Sequence, residues 1–124
     1  MRHKVKKVKL GIDKEHTTAI MRNLAMSVII YEKVKTTTAK ARAVQPFVER
    51  LISIGKKSQM RNGVKEKRHA IREIERLLQH ENSSRKILEV LVDKYKDRTS
   101  GFTRITKMGY RNGDNAPVVQ IELV

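Results

Sequence analysis

The chain has 124 residues, with 28 Lys and Arg against 13 Asp and Glu, a formal net charge of +15 at pH 7. It contains no Cys and no Trp, which excludes a disulfide framework and a thiolate metal site, and no stretch reaches the roughly 20 apolar residues of a membrane-spanning helix. A charge excess of this size opposes a compact state by self-repulsion, so a polyanion is the expected partner, with nucleic acid foremost.

Residues 1–12 carry Arg2, Lys4, Lys6, Lys7 and Lys9 and no acid. They form no long apolar face and read as an extended basic arm, able to reach about 40 Å. No apolar run follows these charges, which argues against a secretory signal. Asp13 then has the chemistry of a helix N-cap, and Glu15 sits near the positive dipole end. Ile20, Leu24 and Val28 form one row and Met21, Ala25 and Ile29 the next, which predicts a helix over 14–32. The β-prone run Lys33-Val34-Lys35-Thr36-Thr37 predicts a short strand. Thr37 or Thr38 is suited to cap a second helix over 38–57, with Val44, Phe47, Val48, Leu51 and Ile52 on its stripe. Pro46 lies inside that run and is expected to kink the helix or divide it near residue 45.

Asn62-Gly63 marks a loop over 58–64. A third helix is predicted over 65–80 through Ile71, Ile74, Leu77 and Leu78. Ser83 or Ser84 then caps a fourth helix over 84–96 through Ile87, Leu88, Leu91, Val92 and Tyr95. Residues 102–110 read as a strand, 112–115 as a turn, and 117–124 as the return strand of a hairpin. Val119, Ile121 and Leu123 face one way there, Gln120 and Glu122 the other. The expected fold is α+β in two layers: helix, strand, three helices and a β-hairpin, with a small three-stranded sheet packed on the helices. The expected division is an arm over 1–12 and a single α+β domain over 13–124.

Two further blocks lack acids. One holds Lys33, Lys35, Lys40 and Arg42; the other holds Arg98, Arg104, Lys107 and Arg111. The acids gather at Glu73, Glu75, Glu81, Glu89, Asp93 and Asp97, mostly on the third and fourth helices. If the first strand pairs with the hairpin, the acid-free blocks converge, giving one basic face and one mixed face. Thr36, Thr37, Thr99 and Ser100 add short hydroxyl donors, and the N-terminus of the second helix adds an anion preference. The scarcity of aromatic rings favours recognition of backbone and shape over base stacking.

Catalytic constellations are absent from the residue pattern. His3, His16, His69 and His80 lack metal-site spacing. Gly55-Lys56-Lys57-Ser58 lacks the upstream Gly of a phosphate-binding loop, because Arg50 stands there. Asp93 and Asp97, one helical turn apart beside Lys94, Lys96 and Arg98, suit a solvated ion-pair face. Gly101 either serves a turn or lets backbone approach a phosphate.

Several separated segments resemble the family of the seventeenth protein of the bacterial large ribosomal subunit. They are Met1-Arg2-His3, Arg22-Asn23-Leu24, Thr36-Thr37 with Ala39-Lys40-Ala41, and Pro46-Phe47-Val48-Glu49 with Leu51-Ile52. Gly101-Phe102-Thr103-Arg104-Ile105 and the ending from Gly113-Asp114-Asn115-Ala116-Pro117 to Ile121-Glu122-Leu123 complete the set. Lys7 and Ile12 depart from it, since the family commonly has Gly and Arg there. The resemblance implies a cytoplasmic, non-catalytic ribosomal constituent that binds large-subunit ribosomal RNA. It implies no cofactor, no small-molecule substrate, no membrane and no homo-oligomer, with the thirty-second large-subunit protein as a neighbour. By position it assigns RNA contacts to Arg2, His3, Arg22, Asn23, Thr36, Thr37, Lys40 and Arg104.

Overall fold

The computed structural model describes His3 and residues 9–124. The expectations for Arg2, Lys4, Lys6 and Lys7 lie outside the described residues. Helix α1 (Lys14–Tyr31) starts where the His16 backbone N–H donates to Asp13 Oδ1 at 2.7 Å. It buries Ala25, Val28 and Ile29 and ends at Glu32, which takes a left-handed φ of 65°. That turn delivers the chain into β1 (Lys33–Thr37).

Helix α2 (Thr38–Arg61) passes through Pro46 without dividing. The proline ring takes away the N–H that would reach the Arg42 carbonyl. Ala41 and Val44 before it, and Val48, Leu51 and Ile52 after it, are all buried in one core, so packing holds both halves in one helix. The loop expected over 58–64 shrinks to two residues. Ser58 Oγ donates to the Gly55 carbonyl at 2.7 Å, and the helix runs on until Asn62 takes φ 51°.

Helix α3 (Val64–Leu78) buries Ala70, Ile74 and Leu78 and ends at left-handed Gln79. The next helix begins earlier than Ser83 or Ser84 would place it. His80 is the N-cap of α4 (Glu81–Lys86), its Nδ1 accepting the Ser83 backbone N–H at 3.2 Å. Both serine hydroxyls instead donate back to the His80 carbonyl, and both residues are buried. The helix continues through a π-helical turn at Ile87–Leu91 into α5 (Val92–Lys94). Gly55 of α2 accommodates this turn, because a Cβ there would lie 2.9 Å from Val92 Cγ2 and 3.2 Å from Ile87 Cγ2.

Strands β2 (Thr103–Tyr110) and β3 (Pro117–Leu123) form the hairpin, with an irregularity in pairing between Lys107 and Gly109. The sheet order is β1-β3-β2, all antiparallel neighbours. This realises the expected α+β architecture, the sheet forming one layer and the helices the other. Val119, Ile121 and Leu123 sink into a core shared with every major helix, Tyr95 and Phe102. Each fully buried Leu, Ile or Phe there contributes about 1.5–3 kcal/mol. Helix α2 is fastened to the sheet by Glu49 Oε1, which accepts from Thr103 Oγ1 at 2.8 Å, while Gln45 Nε2 donates to the same hydroxyl oxygen at 3.1 Å.

Candidate nucleic-acid interface

The sheet turns one face to the helices and leaves the other open. Strand alternation sends residues two apart to the same side, and the register then assembles rows across three strands. In the first row Glu122 stands between Lys33 and Arg104; in the second Gln120 stands between Lys35 and Thr106. The Arg104 guanidinium lies 3.8 Å from Glu122, and Gln120 Nε2 donates to the other Glu122 oxygen at 3.1 Å. Glu122 is thus the acid at the middle of an otherwise cationic and hydroxyl-bearing surface. Thr36 pairs with Val119 and shares the helix-facing register with Val34, so alternation separates it from Lys33, Lys35 and Thr37.

The other candidates sit at the two ends of the sheet. Arg98, Thr99 and Ser100 are exposed on the loop leading to the start of β2. At the opposite end, Thr37 pairs with Val118 and the chain enters α2, where Lys40 and Arg42 are exposed. The Thr37 hydroxyl makes no capping bond, and the first turn of α2 holds no acid. Helix α1 has both Asp13 as cap and Glu15 in its first turn. The positive dipole end of α2 is therefore left uncompensated, with Lys40 beside it, an arrangement that favours an anion.

The cations divide by what they already hold. Among the described residues, Lys33, Lys35, Lys40, Arg42 and Lys107 make no ion pair. Arg22 reaches across the helices: its Nε donates to the Leu77 carbonyl at 3.0 Å and its Nη1 to Gln79 Oε1 at 3.3 Å. It satisfies an orphan carbonyl at the end of α3, while Asn23 beside it is exposed. Arg98 Nη1 donates to the Gly101 carbonyl at 3.0 Å, folding the loop on itself, and Gly101 takes φ 69°. The Lys56 ammonium donates to the Arg98 carbonyl and lies 5.3 Å from the centre of the Phe102 ring.

Arg111 is held in the hairpin loop. Its Nε donates to Asp114 Oδ1 at 3.1 Å, and the Ala116 N–H donates to the same oxygen at 3.2 Å. The Arg111 guanidinium first, and then that N–H, lower the Asp114 carboxyl to about 2. At the other end of the sheet, the Lys86 ammonium lies 3.2 Å from Glu32 and Lys94 lies 3.8 Å away, holding the Glu32 carboxyl below its ordinary value. Lys86 also donates to the Ile30 carbonyl at 2.9 Å, closing the end of α1. Sequence reasoning ranks all arginines alike; the partners that occupy Arg22 and Arg98 lie in carbonyls and carry no composition signal.

The root of the arm, Lys9 to Ile12, borders a cleft with Met21, Arg22, Phe47 and Leu77. His3 and Lys9 are exposed. Helix α1 spans about 27 Å between this root and the entry to β1, so the arm and the first strand leave opposite ends of one helix.

The comparisons with known proteins agree on one family. The family model for Ribosomal protein L17 matches residues 20–124. The chain is 43% identical over all 124 residues to the "Large ribosomal subunit protein bL17" of Novosphingobium aromaticivorans, covering 82% of that protein. Over the same full length it is 42% identical to the protein of that name from Rhodopseudomonas palustris, covering 85% of it. It is 40% identical to the one from Ehrlichia canis, covering 91%. Matches of this identity across the whole chain place it plainly: it belongs to the ribosomal protein L17 family.

Proposed function

We propose that the chain is a non-catalytic structural constituent of the large ribosomal subunit that binds and stabilises its ribosomal RNA. The open sheet face carries this reading: Lys33, Lys35 and Arg104 stand in register on one surface, and the uncompensated N-terminus of α2 with Lys40 and Arg42 adjoins it. Ammonium and guanidinium groups neutralise phosphates there, Arg as a planar fork. Thr37, Thr99, Ser100 and the Thr106 hydroxyl donate to phosphate oxygens at closer range. Lys107 stands opposite Val119, on the other parity from this face, and is exposed next to the pairing irregularity, so it contributes from the rim of the sheet. Recognition is of RNA shape and 2′-hydroxyls more than of base sequence.

The basic arm over 1–12, with Arg2, His3, Lys4, Lys6, Lys7 and Lys9, neutralises phosphates inside the particle. It loses conformational entropy on ordering, so it contributes less per contact than the domain over 13–124. Arg22, Arg98 and Arg111 act mainly by fixing the frame, each keeping guanidinium N–H groups free to donate outward. Neighbouring large-subunit proteins, the thirty-second among them, complete the setting of a cytoplasmic ribosome.

The test is binding of the purified chain to transcripts of large-subunit ribosomal RNA across a salt series, with duplex DNA as control. Tight binding to the folded RNA is expected, with log affinity falling against log salt by about 0.7–0.9 per phosphate contact. Deleting residues 2–12 should weaken the complex and leave the melting curve intact. Equal affinity for duplex DNA, or no binding at low ionic strength, removes the proposal.

A further inference from the structure

Helix α3 carries a second cationic surface, on the side of the molecule away from the sheet. At 3.6 residues per turn, Lys65, Arg68, His69, Arg72 and Arg76 fall within an arc of about 100°. The buried residues Ala70, Ile74 and Leu78 occupy the opposite side. The acids Glu66, Glu73 and Glu75 all lie outside the arc. Among the described residues, Lys65, Arg68, Arg72 and Arg76 make neither an ion pair nor a side-chain hydrogen bond. All four are exposed. Their Cα atoms span about 17 Å at a rise of 1.5 Å per residue.

The surface continues onto α2. Lys57 and Arg61 share one groove with Lys65 and His69, and His69, Arg72 and Arg76 line the next. Two acids enter this groove, and one of them, Glu73, is engaged by cations. Glu73 lies 3.5 Å from Arg50 and 3.7 Å from His69. Glu66 folds back over Gly63, where an added Cβ would sit 1.8 Å from its Oε2. The neighbours of α3 are α1, α2 and α4, so a helix layer separates this ridge from the open sheet face.

Resting on the RNA-binding reading above, we infer that the α3 ridge docks on a second segment of RNA backbone, so that the domain bridges two RNA elements on opposite sides. Three of the four unpaired cations are arginines, whose forked donors suit phosphate. A linear polyanion matches a row of evenly spaced cations without an intervening acid. A lipid surface fits less well, because the exposed apolar residues of α3, Val64 and Ile71, lie outside the basic arc and are too few for an anchor.

The test counts RNA molecules per chain. A short hairpin of large-subunit ribosomal RNA is titrated onto the full chain, and stoichiometry is read by sedimentation. The parent should take two hairpins. The variant K65Q/R68Q/R72Q/R76Q should take one, with the salt slope reduced by about 3 for four lost contacts. K33Q/K35Q/R104Q should also take one, and R68K/R72K/R76K should keep two. Glutamine preserves helix propensity; should the quadruple variant melt early, R68Q/R72Q is read in its place. A quadruple variant that still takes two hairpins overturns the ridge and leaves the sheet reading intact. A parent that takes one hairpin and loses it with the sheet variant does the same. A parent that instead sediments with anionic vesicles through the α3 cations also overturns it, assigning the ridge to lipid headgroups. A parent that ignores RNA removes both readings.

Discussion

The two faces of the sheet are made by the same three strands and do opposite work. On the helix side, Val119, Ile121 and Leu123 are buried, with Val34 and Ile105 packed beside them. On the open side, Lys33, Lys35 and Arg104 surround Glu122 and Gln120. A shift of one residue separates them. The open face can hold excess positive charge because the apolar packing of the strands lies on the other side. Residues on one face should therefore move stability, and residues on the other should move affinity.

The hardest break of this contrast is Ile121→Asp, which puts an unpaired carboxylate into the core. A loss of about 4–5 kcal/mol is expected, comparable with the whole stability of a small domain, and the cooperative melt should vanish. A variant that melts like the parent would mean the facing is wrong. The mirror experiment is K33Q/K35Q/R104Q. Its melting should stay within about 0.5 kcal/mol of the parent, while the salt slope of RNA binding drops by about 2–3. A clear fall in melting temperature would show that the open face carries stability too.

A finer probe lies at the end of β3. The Tyr95 hydroxyl donates to the Val124 carbonyl at 3.0 Å, and burial, followed by Glu32, raises its ionisation above the ordinary value. Tyr95→Phe keeps the ring against Phe102, at 5.1 Å between centroids, and should cost about 1 kcal/mol in a denaturant melt. The smallest effect is expected at the hairpin loop. The folded Asp114 pKa lies below its ordinary 3.8, at about 2. Its contribution is therefore complete above the ordinary value and is lost as pH falls from there through about 2. A carboxyl resonance titrating near 4 would show that Arg111 does not hold it. Asp114→Asn should leave the melt at pH 7 nearly unchanged, since the pair is exposed.

Much of this architecture is legible because burial repeats with the period of its element. The rows through Ala25, Val28 and Ile29 and the alternation through Val119, Ile121 and Leu123 announce both the element and its inner face. Helix limits were less legible. Residues 58–61 stay helical, with Ser58 buried and the Asn62 N–H donating to its carbonyl, and His80 takes the cap that serine chemistry suggests for Ser83. The cap depends on which of several competent side chains reaches a backbone group first. Pro46 leaves α2 intact because buried residues flank it on both sides, a tertiary effect beyond local propensity. Of the candidate site, Lys33 and Lys35 could be paired on one face from parity alone. That Arg22 would close the end of α3, far along the chain, could not. The α3 ridge was hidden for another reason: Glu66, Glu73 and Glu75 dilute it in linear composition, and they separate from it only when the helix is wound.

The middle strand of the sheet is the last of the three to be synthesised. Lys33 is placed by Glu122, about 90 residues further along, and Arg104 is placed by the same residue. At about 5–20 residues per second, a nascent chain waits several seconds between emergence of the first strand and arrival of its partner. Helices can gather during that delay, yet the ordered row of Lys33, Glu122 and Arg104 does not exist. The in-register cationic row is thus a product of the completed sheet and of no shorter stretch of the chain.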